Sequence, residues 1–467
     1  MRTPSSVPFL LAAFLVAAGA CKKEHPPAPK PALGRSSEEG PLLRAGRTHV
    51  IFLIIDTLRA DKMGAYGFAS PTSPELDRFA AAGVRFENVI AQCSWTRPSI
   101  GSMLTGRYPR SLGLYEEEGE RLGSSHQTLA EVFDAHGYTT IGVTANPNIN
   151  AVFGFDQGFD AYVDSRRIWP WMKDDDADAR KKATYPGQLM PATEVFEHVW
   201  RLLPKHPEGP YFVQLNIMEM HGWGPRIRDE LQDAFEGEKD AQYLAKLRQA
   251  SIDVGAFVSR WLSTEGLEDT LLVITSDHGE GLSDHPGIEN AHGHGLTLYE
   301  TQLRVPLILY HSKGALGRGV VIERPVRVMD LHPTLVDLFG FEVDRDIDGV
   351  SLRPLITDPG SDIPLPELFV AETYFQDAEK QSVYAASWNY YKNMDGWKGM
   401  DPTELQRPGS PELGSRTNQI IRHPDQAARF ETFLEEWERQ HEKSDPIVDG
   451  NLPDELIEQL RAIGYLD

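Results

Sequence analysis

Three polar points stand where chemistry is commonly done: Asp56 in "IFLIIDTLRAD", the pair Asp277 and His278 in "LLVITSDHGE", and His221 in "LNIMEMH". Each follows an apolar run that reads as a strand, and ligand groups in open α/β sheets collect at the carboxyl ends of strands. Two carboxylates and an imidazole at one sheet edge make an oxygen and nitrogen donor set suited to a divalent ion such as Mn²⁺, Zn²⁺ or Mg²⁺. Each residue taken alone has a plainer reading, because an aspartate after a strand commonly caps a helix or forms a turn. A fourth segment, "IAQCSWTRPSIGSMLTGRYP" at 90–109, offers two side chains as nucleophile, Cys93 and Thr96. Arg97 is the fourth residue after the cysteine.

Gathering these points requires a sheet. Apolar runs at 50–55, 138–146, 210–221, 269–280 and 304–312 read as strands, the first apolar throughout, as in a parallel strand buried on both faces. Helix-period stretches lie between them: "SPELDRFAAAG" with Ser73 as cap, "TLAEVFDAHG" and "ATEVFEHVWRLL". The alternation predicts an α/β fold, a large, mostly parallel sheet flanked by helices. After "DGVSLRPLI" the pattern changes to short strands, turns and two terminal helices. The expected organisation is a catalytic domain over 49–344 and a smaller C-terminal α+β subdomain over 345–467.

The net charge of −23 with no long basic run argues against a nucleic-acid partner, and an anionic substrate would need a local cation. Residues 1–20 have the charged start, apolar middle and small-residue exit of a secretory signal. Ala18, Gly19 and Ala20 before Cys21 resemble a lipobox, so Cys21 is expected to carry lipid and residues 21–48, rich in proline, to form a tether. The expected location is the cell envelope, as an exported bacterial lipoprotein held to a membrane by its anchor. Cys93 is the other cysteine, so a lipidated Cys21 leaves no disulfide within the mature chain.

The motifs "IFLIIDTLRADKMGAYG", "SPELDRFAAAGVRFENVIAQ", "TRPSIGSMLTGRYP", "TLAEVFDAHGYTT", "GFDQGFD", "MEMHGWGP", "SDHGE", "YETQLRVPLIL", "DLHPTLVDLFG" and "DGVSLRPLI", in this order, resemble the sulfatase family within the alkaline phosphatase superfamily. The resemblance implies Asp56, Asp277 and His278 as ligands of one divalent ion (Mn²⁺, Zn²⁺, Mg²⁺ or Ca²⁺), and Thr96 is expected to bind the same ion through its hydroxyl. It places His221 next to the departing oxygen and a histidine near position 294, read as His294, against the anion. Many sulfatases have a second aspartate after the first; Thr57 stands there, which favours a transition-metal site over an all-oxygen calcium cage.

Sulfatases carry Cys or Ser followed by x-Pro-x-Arg, with Leu-Thr-Gly beginning eight positions on, and oxidise the first residue to formylglycine. From Cys93 the arginine fits, but Trp95 takes the proline position and Leu104 falls three residues late. From Thr96, Pro98 fits and Leu104 is on register; only the arginine is lost, to Ile100. Thr96 is therefore the expected nucleophile. Oxidising a threonine gives a ketone, so no formylglycine is expected. Metal coordination lowers the pKa of a bound oxygen, which leaves the unmodified hydroxyl able to attack and form a threonine ester.

A phosphothreonine is a workable intermediate, whereas an alkyl sulfate is a poor electrophile at sulfur. The expected activity is hydrolysis of a phosphate or sulfate ester, phosphorus favoured, on a small or polymer-linked anionic substrate, or head-group transfer. The alternatives are a sulfatase without formylglycine and a degenerate, non-catalytic binding protein. Arg59 and Asn146 are further candidates for contact with the anion. His285 and His292 are expected as exposed loop histidines, and "WPWMKDDDADARKK" as an insertion near the substrate entrance or a solvated helix start.

Overall fold

The computed structural model describes residues 40–462 apart from 116–118, 169–190, 206–208, 223, 343–345, 376–378, 394–398 and 449–451. The expected signal, Cys21, most of the tether, the 169–182 insertion and the boundary at Asp344 lie outside the described residues. No helix among those described is long and apolar enough to cross a membrane.

The strands are β1 (His49–Ile55), β2 (Val84–Ile90), β3 (Glu120–Arg121), β4 (Thr139–Thr144), β5 (Ala161–Val163), β6 (Tyr211–Ile217), β7 (Thr270–Thr275), β8 (Arg304–His311), β9 (Val320–Ile322) and β10 (Val326–Arg327). Nine of them form one sheet in the order β10-β2-β8-β7-β1-β6-β4-β5, with β9 also on β2. Pairing is parallel except for β8, which runs antiparallel to both β7 and β2. A mixed, mostly parallel sheet is thus what the apolar runs produce. β1 lies centrally between β6 and β7 and is buried along its whole length. The β2 strand, "VRFENVI", alternates imperfectly and was not anticipated.

Helices flank the sheet. Pro74–Ala82 begins after Ser73, but the Ser73 hydroxyl does not cap it: Oγ accepts from Gly64 N (3.1 Å) and donates to Asp77 (2.9 Å). Leu129–Ala135 carries a full capping box from Thr128 and Glu131. The long helix Ala241–Leu262 has a weak periodic signature, since small and polar residues interrupt its apolar stripe, yet Leu244, Leu247, Val254, Val258 and Trp261 are buried.

A second, antiparallel sheet comprises β11 (Phe369–Thr373), β12 (Lys380–Tyr384), β13 (Asn389–Lys392) and β14 (Thr403–Gln406). The helix Pro424–Gln440 buries Phe430, Leu434 and Trp437 in a core with Val370, Val383 and Leu405 of this sheet. The last described helix, Asp454–Ala462, departs from the expected C-terminal grouping. Leu456 and Leu460 join the core of the large sheet, and Ser165 Oγ donates to Gln459 (2.8 Å). The end of the expected tether is also docked: Leu43 is buried in that core and its N–H bonds Leu338 O (3.0 Å), because an apolar side chain and a backbone donor find partners there.

Candidate active site

Asp56 follows β1, and the Ser276-Asp277-His278 turn follows the neighbouring β7. The β1/β7 register pairs Ile54 with Thr275, so each aspartate stands two residues beyond that pair. Asp56, Asp277 and His278 are buried, and one donor atom from each lies within 4.8 Å of the others. Turn bonds hold them: Ser276 Oγ donates to His278 O (2.7 Å) and accepts from Leu58 N (2.9 Å), and Ser99 Oγ donates to Asp277 O (2.6 Å).

Thr96 is the first residue of the helix Thr96–Thr105, in which every residue is buried. Trp95 before it is extended, so the chain turns abruptly into the helix and the first-turn N–H groups have no partner within it. Such a terminus favours an anion. Thr96 Oγ1 lies 3.3 Å from His278 Nε2. His278 Nδ1 donates to Gly279 O (2.9 Å), which leaves the Nε2 lone pair for the cluster. Asn146, after β4, donates from Nδ2 to Asp56 Oδ2 (2.6 Å) and to Thr96 Oγ1 (3.1 Å). Its own carbonyl oxygen accepts from Asn148 N (2.8 Å).

Burial, then the neighbouring Asp277, pushes the Asp56 carboxyl well above the carboxylate range. Two buried carboxylates side by side are unfavourable unless a cation joins them. Asp56 Oδ1 and Asp277 Oδ2 accept no hydrogen bond among the described residues. Burial also holds His278 below its ordinary value, hence as neutral imidazole. Unsatisfied carboxylate oxygens and a neutral imidazole are what a divalent ion of the transition series requires, so the residues fit such an ion.

Three histidines meet here. The His294 ring centroid is 4.5 Å from that of His278 and 5.1 Å from that of His221. Burial opposes charge on His294, but Glu280, 3.2 Å from Nδ1, together with Asp56 and Asp277 acts against it, and the pKa is raised. Burial, followed by His294 and His278, lowers the His221 pKa well below the ordinary value. The two imidazoles are thus pushed in opposite directions, His294 up and His221 down.

Of the remaining expectations, Arg59 does not present its charge to the cluster. Its guanidinium pairs with Asp61 (2.7 Å) and Asp284 (2.6 Å) and donates to Glu280 O (3.0 Å), and those two carboxylates neutralise it. His285 is buried rather than exposed, because its ring bridges Glu412 O (2.7 Å) and Thr301 Oγ1 (2.6 Å) and lies against Tyr299; His292 is exposed. Cys93 is buried, and burial pushes its thiol up, away from the reactive thiolate. Thr57 takes a left-handed backbone (φ 55), a conformation that costs a β-branched residue about 1–3 kcal/mol.

The sequence reading assigned no role to Glu280, Lys246, Asn148 or Arg97. Lys246 Nζ donates to His221 O (2.9 Å) from the helix that periodicity missed. Arg97 is fully buried, its guanidinium 3.8 Å from the Phe153 ring centroid and bonded to Asn148 O (3.2 Å) and Oδ1 (3.3 Å). Asn146 to Asn150 reads as a turn, "NPNIN", and only the turn's return toward Thr96 reveals its use.

The model of the sulfatase family matches residues 48–341. Among curated proteins, an ulvan-active sulfatase of Formosa agariphila is 22% identical over 67% of this chain and 66% of its own length. An N-acetylglucosamine-6-O-sulfatase of Bacteroides thetaiotaomicron is 21% identical over 86% of this chain and 88% of its own. Among solved structures, a phosphonate monoester hydrolase from Silicibacter pomeroyi superposes with a TM-score of 0.66 at 19% identity, covering 85% of this chain and 96% of its own.

Proposed function

The chain belongs to the sulfatase family, and from that premise we propose that it is a metal-dependent ester hydrolase that uses unmodified Thr96 as nucleophile, with phosphorus esters favoured. The carrying observation is the position of Thr96 Oγ1, at a buried helix start between Asn146 Nδ2 (3.1 Å) and His278 Nε2 (3.3 Å).

Asp56, Asp277 and His278 would hold the divalent ion, which when bound would supply positive charge to the anionic ester and favour release of the threonine proton to solvent, from which Oγ1 is reprotonated when the intermediate is cleaved. Asn146 orients Oγ1 and adds a donor that faces developing negative charge. As Oγ1 bonds to phosphorus, the bond to the departing alcohol oxygen breaks. His294, whose pKa is raised beside Glu280, is the group suited to give that oxygen a proton. His221, neutral, is suited to take a proton from the water that then cleaves the phosphothreonine. This shifts the donor role from His221, where the sequence reading put it, to its neighbour. Two in-line steps retain configuration at phosphorus.

A second reading, sulfate-ester hydrolysis, draws on the two sulfatases named among the relatives. The test is turnover of sulfate monoesters, phosphate mono- and diesters and a phosphonate monoester with Mn²⁺, Zn²⁺, Mg²⁺ or Ca²⁺, for wild type and Thr96→Ala. Faster phosphorus-ester cleavage that disappears on chelation and in Thr96→Ala is expected. Faster sulfate cleavage would install the second reading; absence of metal binding and of all turnover would make this a binding protein.

A further inference from the structure

The small sheet meets the segment after His294 with three side chains of two paired strands. Thr373 ends β11, Lys380 opens β12, and the antiparallel register sets the two directly opposite each other, so their side chains share a face. Tyr384, four residues beyond Lys380, projects from that same face. All three are buried, and each donates to a backbone carbonyl. Thr373 Oγ1 bonds Gly295 O (2.8 Å), Lys380 Nζ bonds Leu296 O and Tyr384 Oη bonds Leu298 O. Gly295 to Leu298 are buried and belong to no helix or strand, so their carbonyls need donors from elsewhere.

A lysine is an expensive donor for this place. Lys380 is 1% exposed, and burial pushes its ammonium down to about 8 even though Glu404 acts in the opposite direction. A neutral hydroxyl would satisfy a carbonyl at less desolvation cost, as Thr373 and Tyr384 do on either side; an ammonium makes the stronger bond. The other side of the segment is tied to the nucleophile. Gly295 N donates to Ser94 O (2.8 Å), two residues before Thr96. Gly295 has a left-handed backbone (φ 88) and lies against Phe375, whose ring would stand 2.7 Å from an added Cβ. The same ring is 5.9 Å from that of Trp95, the residue before Thr96. His294 therefore extends from a backbone clamped between the small sheet and the Ser94–Thr96 turn.

We infer that Lys380, Thr373 and Tyr384 are positioning residues of the reaction, holding His294 through the carbonyls of Gly295, Leu296 and Leu298 where its ring can protonate the departing oxygen. This rests on the assignment of His294 as the proton donor. The three side chains act through the loop and not on the ester. A small displacement of a general acid costs rate mainly where the leaving oxygen needs its proton, and that selectivity separates positioning from mere support of the fold.

The test is kcat/KM of the full chain, with divalent metal supplied, for para-nitrophenyl, phenyl and methyl esters of the acid group that wild type cleaves. Para-nitrophenoxide departs without a proton, whereas phenoxide and methoxide call for one. His294→Ala should therefore lose more rate on the phenyl and methyl esters than on the para-nitrophenyl ester. Lys380→Met should show the same bias, by about tenfold or more, and should not widen it when added to His294→Ala. Should Lys380→Met fail to fold, Thr373→Val with Tyr384→Phe removes the other two donors at nearly constant shape and should carry the bias instead. Equal losses on all three esters in these variants, beside a biased His294→Ala, overturn the inference and leave His294 its role. An unbiased His294→Ala overturns the assignment of His294 as donor, and the inference with it.

Discussion

The side-chain amide of Asn146 donates to Thr96 Oγ1 across 3.1 Å while the same nitrogen holds Asp56 Oδ2 at 2.6 Å. One residue therefore orients both the expected nucleophile and an expected metal ligand. Asn146→Ala should lower kcat by about a hundredfold, the usual loss when a donor facing developing charge is removed. Asn146→Asp should do worse, by setting a third carboxylate beside Asp56. Steady-state kinetics with saturating metal decides it; wild-type rates in Asn146→Ala would remove the residue from the mechanism.

Thr96→Ala should reduce turnover by about a thousandfold or more, and Thr96→Ser should restore part of it, since the hydroxyl remains. Cys93→Ala should leave kcat within about twofold, because the thiol is buried and pushed toward its protonated form. Peptide mass analysis should find both residues unmodified. An aldehyde at position 93 would reverse the assignment.

Glu280 sits 3.2 Å from His294 Nδ1 and raises its pKa against the opposing effect of burial. Activity that needs the protonated ring is lost as pH rises through that raised value. In Glu280→Gln, burial is no longer offset by this carboxylate, so the alkaline limb of kcat/KM against pH should move to lower pH. An unmoved limb would assign the limb to another group.

Glu412 offers a test of stability outside the reactive centre. Burial, then the nearby Glu300, pushes its carboxyl up to about 8, and the Tyr391 hydroxyl and Glu300 N–H bond it. A carboxyl with a raised folded-state pKa binds its proton more tightly when folded. Its contribution is complete below the unfolded value near 4.5 and declines as pH rises toward 8. Wild type should thus lose melting temperature between pH 5 and 8 relative to Glu412→Gln, by about 2 °C or more. Parallel melting curves would show that the proton is not held there.

Arg97 stacks on Phe153 and bonds Asn148, whose N–H in turn fixes Asn146. Arg97→Lys keeps the charge but not the planar fork, and should destabilise the fold by about 1–3 kcal/mol. It should also lower kcat in proportion to any loss at Asn146. Thermal unfolding and kinetics on the same preparation separate the two effects.

The strands β1, β6 and β7 were readable because fully buried parallel strands leave uninterrupted apolar runs; Asp56 directly follows its strand, Asp277 and His278 stand two and three residues beyond theirs, and His221 four residues beyond its own. The count from Leu104 that singles out Thr96 runs along one helix, Thr96–Thr105, and the role of Thr96 within it stays a proposal. What escaped depends on the chain folding back. Arg59 looked available until Asp284, far along the sequence, reached it, and His285 looked exposed until Glu412 closed over it. The helix Ala241–Leu262 escaped because residues such as Gln249, Ser251 and Asp253 are buried alongside its apolar side chains, blurring the stripe. The docked terminal helix had the right period but no mark of which core it would join.

β1 and β7 are neighbours, and Asp56 and Asp277 each stand two residues past the Ile54–Thr275 pair. Their separation is therefore a property of strand spacing, about 4.8 Å between adjacent strands, and owes little to any loop. Lengthening or replacing the segments around the rim leaves that spacing untouched. The donor pair can accordingly pass unaltered through a lineage while the walls that choose the ester are rebuilt, so a new substrate demands no reinvention of the reactive centre.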